Sequence, residues 1–107
     1  MAAIIGLEAG NAGNIYEWDP LTADGSTPAV EVNGTAFCFV DKVVGSNITV
    51  LHQASLNGTD WFDLDTHSFN ESGVDAHFYA NHPVRYVRVT ASSIGSGESL
   101  TASVMCN

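Results

Sequence analysis

The chain has 107 residues, of which 45% are apolar and 14% are charged. This length is typical of one domain, and the apolar share is too high for a disordered chain. Twelve acidic residues oppose three basic ones, so the formal net charge is −9. Nucleic-acid binding requires a basic surface that neutralises phosphates, and three cations do not provide one. We therefore expect no nucleic-acid partner, and the same charge disfavours anionic membranes.

No apolar run approaches the roughly 18 residues that a membrane-spanning helix requires, so no membrane span is predicted. The first residues, "MAAIIGLEAGNAG", lack the basic and long apolar regions of a secretory signal. We therefore expect a protein that is made in the cytosol. In that compartment Cys38 and Cys106 are expected to be buried reduced thiols, with a bridge between them as the alternative.

The first thirty residues are rich in Gly, Ala and Asn and contain no positive charge. Their apolar segment "AAIIGL" predicts either an edge strand or an arm that lies on a neighbouring subunit. We expect a single domain over residues 1–107, with 31–107 as its core and 1–30 as the arm or edge strand.

Short runs rich in β-branched and aromatic residues alternate with clusters of turn residues along the chain. This pattern, at a spacing of about ten residues, is typical of an all-β antiparallel sandwich, here expected to be jelly-roll-like. The predicted strands are 2–7, 14–18, 29–32, 35–42, 47–54, 60–64, 75–79, 84–92 and 99–106.

The segment "TAFCFVDK", residues 35–42, is apolar on both faces of its predicted strand. Alternation places Phe37 and Phe39 on one face, and Cys38 and Val40 on the other. An antiparallel strand with two apolar faces has its second face covered by a loop or by another subunit. The segment is the first indication that the protein forms oligomers.

The segment "SLNGTDWFDLD" predicts a hairpin corner. Asn57 and Gly58 both tolerate the positive φ angles of tight hairpin turns. Trp61 then begins the returning strand and is predicted to anchor the core, because its ring buries a large apolar area. The alternative is an exposed Trp61 that stacks on a sugar or contacts a partner.

The charged and polar residues show no pattern that is typical of a metal site or an active site. The acidic residues Asp60, Asp63, Asp65 and Asp75 lack the regular spacing of a calcium loop. The four histidines, His52, His67, His77 and His82, lack the spacing of a zinc site. There is no nucleophile elbow and no phosphate-binding glycine loop. We predict a non-enzyme without metal or cofactor.

The string "QASLNGTDWFDLD…NHPVRYVRVTASSIGSGESLTASV" resembles a pattern in small virion proteins of tailed bacteriophages. The pattern is a strand, S-x-[ND]-G-x-x-W, a short strand, a variable loop, P-x-RYVRV and a final strand. More distantly, it is similar to the discoidin-like jelly-roll modules of carbohydrate- and lipid-binding proteins. The resemblance covers residues 47–106, and the N-terminal third matches no such pattern. The matching residues are Ser55, Asn57, Gly58, Trp61, Pro83, Arg85, Tyr86, Val87, Arg88 and Val89.

The resemblance implies a capsid decoration or cement protein, a homotrimer that binds the major capsid protein on the exterior of the virion and stabilises the head. The alternatives are a carbohydrate-binding module, with Trp61, Tyr79 or Tyr86 as stacking residues, or a tail or baseplate component. The residues expected in the core or at subunit contacts are Ile4, Ile5, Leu7, Phe37, Phe39, Trp61 and Tyr86.

Overall fold

The computed structural model describes residues 2–6, 14–32, 36–80 and 84–106, without the side chains of residues 2–6, 14 and 106. The described residues form ten β-strands and no helix that could cross a membrane. The strands are β1 (Ala2–Gly6), β2 (Asn14–Trp18), β3 (Gly25–Ser26), β4 (Val30–Glu31), β5 (Phe37–Val44), β6 (Ile48–Ser55), β7 (Trp61–Phe69), β8 (Gly73–Tyr79), β9 (Tyr86–Ser92) and β10 (Ser99–Cys106).

The strands form two antiparallel sheets. The first sheet has the order β1-β2-β10-β5-β8, and the second has the order β3-β9-β6-β7 with β4 also paired to β9. The all-β sandwich predicted from the sequence is therefore confirmed. Strands β7 and β8 follow one another in the chain but lie at the edges of different sheets. One side of the sandwich is consequently bounded by two strand edges that do not pair with each other.

The core lies between the sheets, and alternating residues of the long strands build it. Burial follows this alternation in β5, where Phe37, Phe39, Asp41 and Val43 are inward and Val40, Lys42 and Val44 are exposed. The apolar core residues are Trp18, Val30, Val32, Phe37, Phe39, Val43, Ile48, Val50, Ala54, Val87, Val89, Ala91, Leu100, Ala102 and Val104.

Strand β1 pairs with β2 along its whole length, in the register Ala2↔Trp18 to Gly6↔Asn14. This segment is thus an edge strand of the first sheet, one of the two alternatives that the sequence left open. Ile4 and Ile5 belong to it, while Leu7 lies outside the described residues.

The predicted hairpin corner between β6 and β7 is a five-residue loop, residues 56–60. Gly58 has a positive φ of 80°, and Asn57 is not among the non-glycine residues with positive φ. The Asn57 side-chain oxygen instead accepts hydrogen bonds from the backbone N–H groups of Thr59 (2.9 Å) and Asp60 (2.8 Å). The Ser55 hydroxyl accepts another from the N–H of Gly58 at 2.9 Å. Side chains therefore hold this loop by satisfying its backbone donors.

The structure differs from the predicted strands most clearly at β7 and β3. Strand β7 continues to Phe69, where the sequence predicted an end at residue 64, and the short β3 was not predicted. The second half of β7 begins with "DTHS", which is polar on both faces, and ends with the inward Phe69. Strand prediction relies on an apolar face, so this polar half was not recognised.

Candidate functional surfaces and a histidine cluster

The outer surface of the first sheet carries a group of exposed apolar side chains, which we call the apolar face. Phe78 is 79% exposed and Val74 is 65% exposed, both on β8. Val40 and Val44 on β5 and Met105 on β10 complete it. In the ladder, Met105 lies opposite Cys38, and Cys38 lies opposite Phe78. The second apolar face predicted for residues 35–42 is therefore present, with Val40 exposed and Cys38 buried among the described residues.

The apolar face contains no carboxylate among the outward residues described on β5, β8 and β10. Its one charged side chain is Lys42, which is exposed. The nearest outward carboxylate on this sheet is Glu17 on β2, opposite Ser103. In a chain with twelve acidic residues, this distribution lowers the repulsion that would otherwise oppose the close approach of a second acidic protein. Exposed apolar patches of this kind mark protein interaction sites.

Cys38 lies within the apolar face but is 8% exposed, and it is a free thiol. Burial raises the pKa of this thiol, and the nearby carboxylate of Asp41 adds to the increase. The thiolate is the reactive form, so Cys38 is chemically quiet at neutral pH. Free, buried Cys38 agrees with the prediction for that residue, while the side chain of Cys106 lies outside the described residues.

The outer surface of the second sheet is polar and carries two aromatic rings, and we call it the polar face. Trp61 is half-buried there, with the Arg88 guanidinium 4.3 Å from its ring centroid. Its predicted role as a core anchor is thus wrong, because Trp61 lies opposite Ser55 on the outward side of β6. Tyr86, also half-buried, lies opposite Ser55 on the other flank. Both rings are therefore partly exposed on the polar face.

Gln53 organises the polar groups between these rings. Its side-chain oxygen accepts hydrogen bonds from Arg88 Nε (2.8 Å) and Thr90 Oγ1 (3.0 Å). Its amide nitrogen donates to Asp63 Oδ1 at 2.9 Å. The network fixes the donors and acceptors of the polar face on three neighbouring strands, where a ligand with hydroxyl groups would meet them.

Phe37 and Phe39, named from the sequence as core or contact residues, both lie in the core. Phe39 is fully buried, and its ring meets that of Phe37 edge-on at 5.8 Å. Neither is available for a contact with another subunit in this fold.

A cluster of histidines and carboxylates lies at the side of the sandwich where the edges of β7 and β8 meet. The rings of His67 on β7 and His77 on β8 stack with their centroids 3.5 Å apart. Asp65 Oδ2 lies 3.2 Å from His67 Nε2 and 3.8 Å from His77 Nδ1. On the opposite side of its ring, His77 Nε2 is 3.0 Å from Asp75 Oδ2, within hydrogen-bonding distance. That bond lowers the pKa of Asp75, since it stabilises the carboxylate.

Behind this cluster lies a fully buried pair, His52 and Asp41, which connects the two sheets. His52 Nε2 and Asp41 Oδ2 are 2.7 Å apart, and both side chains are 0% exposed. The ring of Phe39 stacks on His52 with centroids 4.2 Å apart, and Tyr79 Oη is 3.2 Å from His52 Nδ1. Burial raises the pKa of Tyr79, and the charges of Asp65 and Asp41 raise it further. The phenol therefore stays protonated at any physiological pH.

The sequence analysis predicted no metal site, yet the structure places Asp65, His67 and His77 with one ligand atom each within 4.8 Å of one another. Asp60 and Asp63 do not join them: Asp60 accepts a hydrogen bond from Asn57 and Asp63 from Gln53. The available signal was the pair Asp65-x-His67, which places both side chains on one side of a strand. Their approach to His77 depends on how the two sheets pack, and no local pattern encodes it.

No family model and no curated protein matches the chain. Among solved structures, the chain is similar to a family 29 carbohydrate-binding module from Piromyces equi, with a TM-score of 0.50 and 11% sequence identity. The match covers 99% of this chain and 76% of that one. At this identity the similarity supports the β-sandwich fold alone.

Proposed function

We propose that this chain is a non-catalytic structural protein of a bacteriophage virion, which associates with copies of itself through the apolar face and decorates the outside of the capsid. The apolar face supports the proposal most strongly, because Phe78, Val74 and Val44 are all exposed on one sheet surface, as at protein interaction sites. The resemblance of residues 47–106 to small virion proteins supplies the biological setting.

The charge distribution supports an exterior position. A net charge of −9 opposes contact with packaged DNA, whereas it keeps a protein on the outer surface soluble. The apolar face is the described sheet surface on which copies meet with the least repulsion. We propose a homotrimer that contacts the major capsid protein; such binding stabilises the assembled shell by mass action.

The test of self-association changes one exposed residue at a time. Phe78→Asp and Val74→Asp are each expected to weaken self-association more than tenfold, because a carboxylate would be buried between copies. Both side chains are largely exposed in the single chain, so its own stability should change little. Leu56→Asp is the matched control, since Leu56 is 64% exposed in the β6–β7 loop, away from the apolar face.

Sedimentation equilibrium of the four proteins gives the association constants directly. Equal association of all four would contradict a role for the apolar face. Co-sedimentation with shells assembled from the major capsid protein of the source virus then tests decoration. If the protein is a trimer but does not bind such shells, self-association is supported and the capsid role is contradicted.

The polar face supports a second candidate function, the binding of a carbohydrate. Trp61 and Tyr86 flank the hydrogen-bond network of Gln53, and aromatic rings beside fixed polar groups are suited to sugars. Affinity electrophoresis in gels that contain soluble polysaccharides tests this function. Retardation that Trp61→Ala abolishes would support it, and unchanged migration in every polysaccharide would contradict it.

A further inference from the structure

We propose that Asp65, His67 and His77 bind one divalent transition-metal ion of the Zn²⁺ type, which links the edges of the two sheets. The site is independent of the proposed virion role, since it uses neither the apolar face nor the polar face.

The donor atoms have the right chemistry and spacing. Two imidazole nitrogens and one carboxylate oxygen form a ligand set that zinc commonly accepts, with a fourth position open to water. Donor atoms of a tetrahedral zinc site lie about 3.3 Å apart, because each bond is about 2.0–2.1 Å long. The structure places Asp65 Oδ2 at 3.2 Å from His67 Nε2 and 3.8 Å from His77 Nδ1.

Two features of the structure make His67 Nε2 and His77 Nδ1 suitable ligands for a cation. His67 Nε2 is buried and has no hydrogen-bond partner, because its approach to Asp65 at 3.2 Å lacks hydrogen-bond alignment. When His77 Nε2 carries the ring proton and donates it to Asp75, the lone pair of His77 Nδ1 is left on the side of Asp65. A carboxylate that orients a histidine in this way is the usual outer partner of a metal ligand.

The local charge also favours a cation. Asp41 and Asp75 lie opposite each other on β5 and β8, and Asp65 is the third carboxylate of the region. The three basic residues of the chain lie elsewhere: Arg85 pairs with Glu31, Arg88 lies over Trp61, and Lys42 is exposed on the apolar face. Like charges on paired strands are destabilising, and a divalent ion at His67 and His77 would offset that repulsion.

Metal binding requires the stacked rings of His67 and His77 to move apart. Rings that share a tetrahedral ion have centroids about 5 Å apart, compared with 3.5 Å here. Because β7 and β8 are not hydrogen-bonded to each other, their edges can separate by this amount without a loss of ladder hydrogen bonds.

The test uses the full chain, purified without a polyhistidine tag and stripped of metal with a chelator. Titration with ZnCl2 in a calorimeter is expected to show one ion per chain, and excess Mg²⁺ should not compete because nitrogen ligands disfavour it. At free Zn²⁺ a hundredfold above Kd, the unfolding midpoint should rise by about 10 °C. Bound Co²⁺ should give the visible spectrum of a nitrogen–oxygen site without a thiolate charge-transfer band.

Substitutions of single residues show which side chains bind the ion. Asp65→Asn and His77→Gln should each weaken Zn²⁺ binding at least tenfold, and Asp75→Asn about tenfold through the orientation of His77. Asp63→Asn is the matched control, since Asp63 lies on the same strand but binds Gln53 on the polar face. Asp65 is 42% exposed, so its amide variant should fold normally, as its metal-free midpoint will show. Absence of stoichiometric binding, or equal losses in Asp63→Asn and Asp65→Asn, would overturn the proposal.

Discussion

Replacement of His52 by Phe is expected to lower the free energy of unfolding by about 3–5 kcal/mol, because it removes one member of a buried polar pair. The Phe ring can keep the stacking on Phe39, so the loss reports on the hydrogen bonds. Asp41 Oδ2 would lose its partner at 2.7 Å, while Asp41 Oδ1 already has none. The carboxylate would then be buried, at 0% exposure, without any compensating donor.

A double variant shows whether the loss of stability comes from the unpaired polar group or from the change in side-chain volume. Asp41→Val combined with His52→Phe removes both polar groups, and it should recover most of the stability that His52→Phe alone loses. Urea unfolding followed by circular dichroism measures all three proteins. If the free energy of unfolding of His52→Phe lies within about 1 kcal/mol of the wild-type value, the pair does not stabilise the sandwich.

Replacement of Trp18 by Ala is expected to cost about 3–5 kcal/mol, because the largest side chain of the core would be lost. Trp18 is 1% exposed, and its Nε1–H donates to the carbonyl oxygen of Pro28 at 2.9 Å. Trp18→Phe keeps part of the volume but leaves that carbonyl without its donor, so a loss of about 1–3 kcal/mol is expected.

Trp61→Ala is the control for Trp18, since Trp61 is half-buried on the polar face. It should cost clearly less than Trp18→Ala in the same urea experiment. Fluorescence gives a second readout: in Trp61→Phe, the remaining Trp18 should emit at short wavelength and resist quenching by iodide. A larger loss for Trp61→Ala would reverse the assignment of the two tryptophans.

The sequence predicted the sandwich because most long strands alternate apolar and polar residues. In β10, alternation in the sequence puts Leu100, Ala102 and Val104 on one face, and all three are buried. The two-sided apolar character of residues 35–42 likewise predicted that β5 has an apolar outer surface. Both inferences depend on local periodicity, which a sequence shows directly.

The position of Trp61 could not be predicted, because the register of β7 contains an irregularity. The partners of β6 shift between His52 and Gln53, which face Asp65 and Asp63, so Leu64 has no partner in the ladder. Such a bulge leaves no clear mark in the sequence. Trp61 was assigned to the core by its apolar size, whereas Trp18 fills that role next to a proline-containing loop.

The histidine cluster could not be predicted from the sequence for a different reason. His52, His67 and His77 lie on three strands of two sheets, and their rings meet only when the sheets pack. Residues 65–68 of β7 looked like a loop because the two inward residues among them, Asp65 and His67, are not apolar. The sequence pattern therefore failed at the same residues that form the candidate metal site.

Burial of the apolar face between copies of the chain is tested most directly by the mass of the purified protein in solution. Light scattering on a size-exclusion column should give three times the chain mass of 11.3 kDa over a wide range of concentrations. A mass of 11.3 kDa at all concentrations would contradict self-association, and the polar face would then be the better candidate for function.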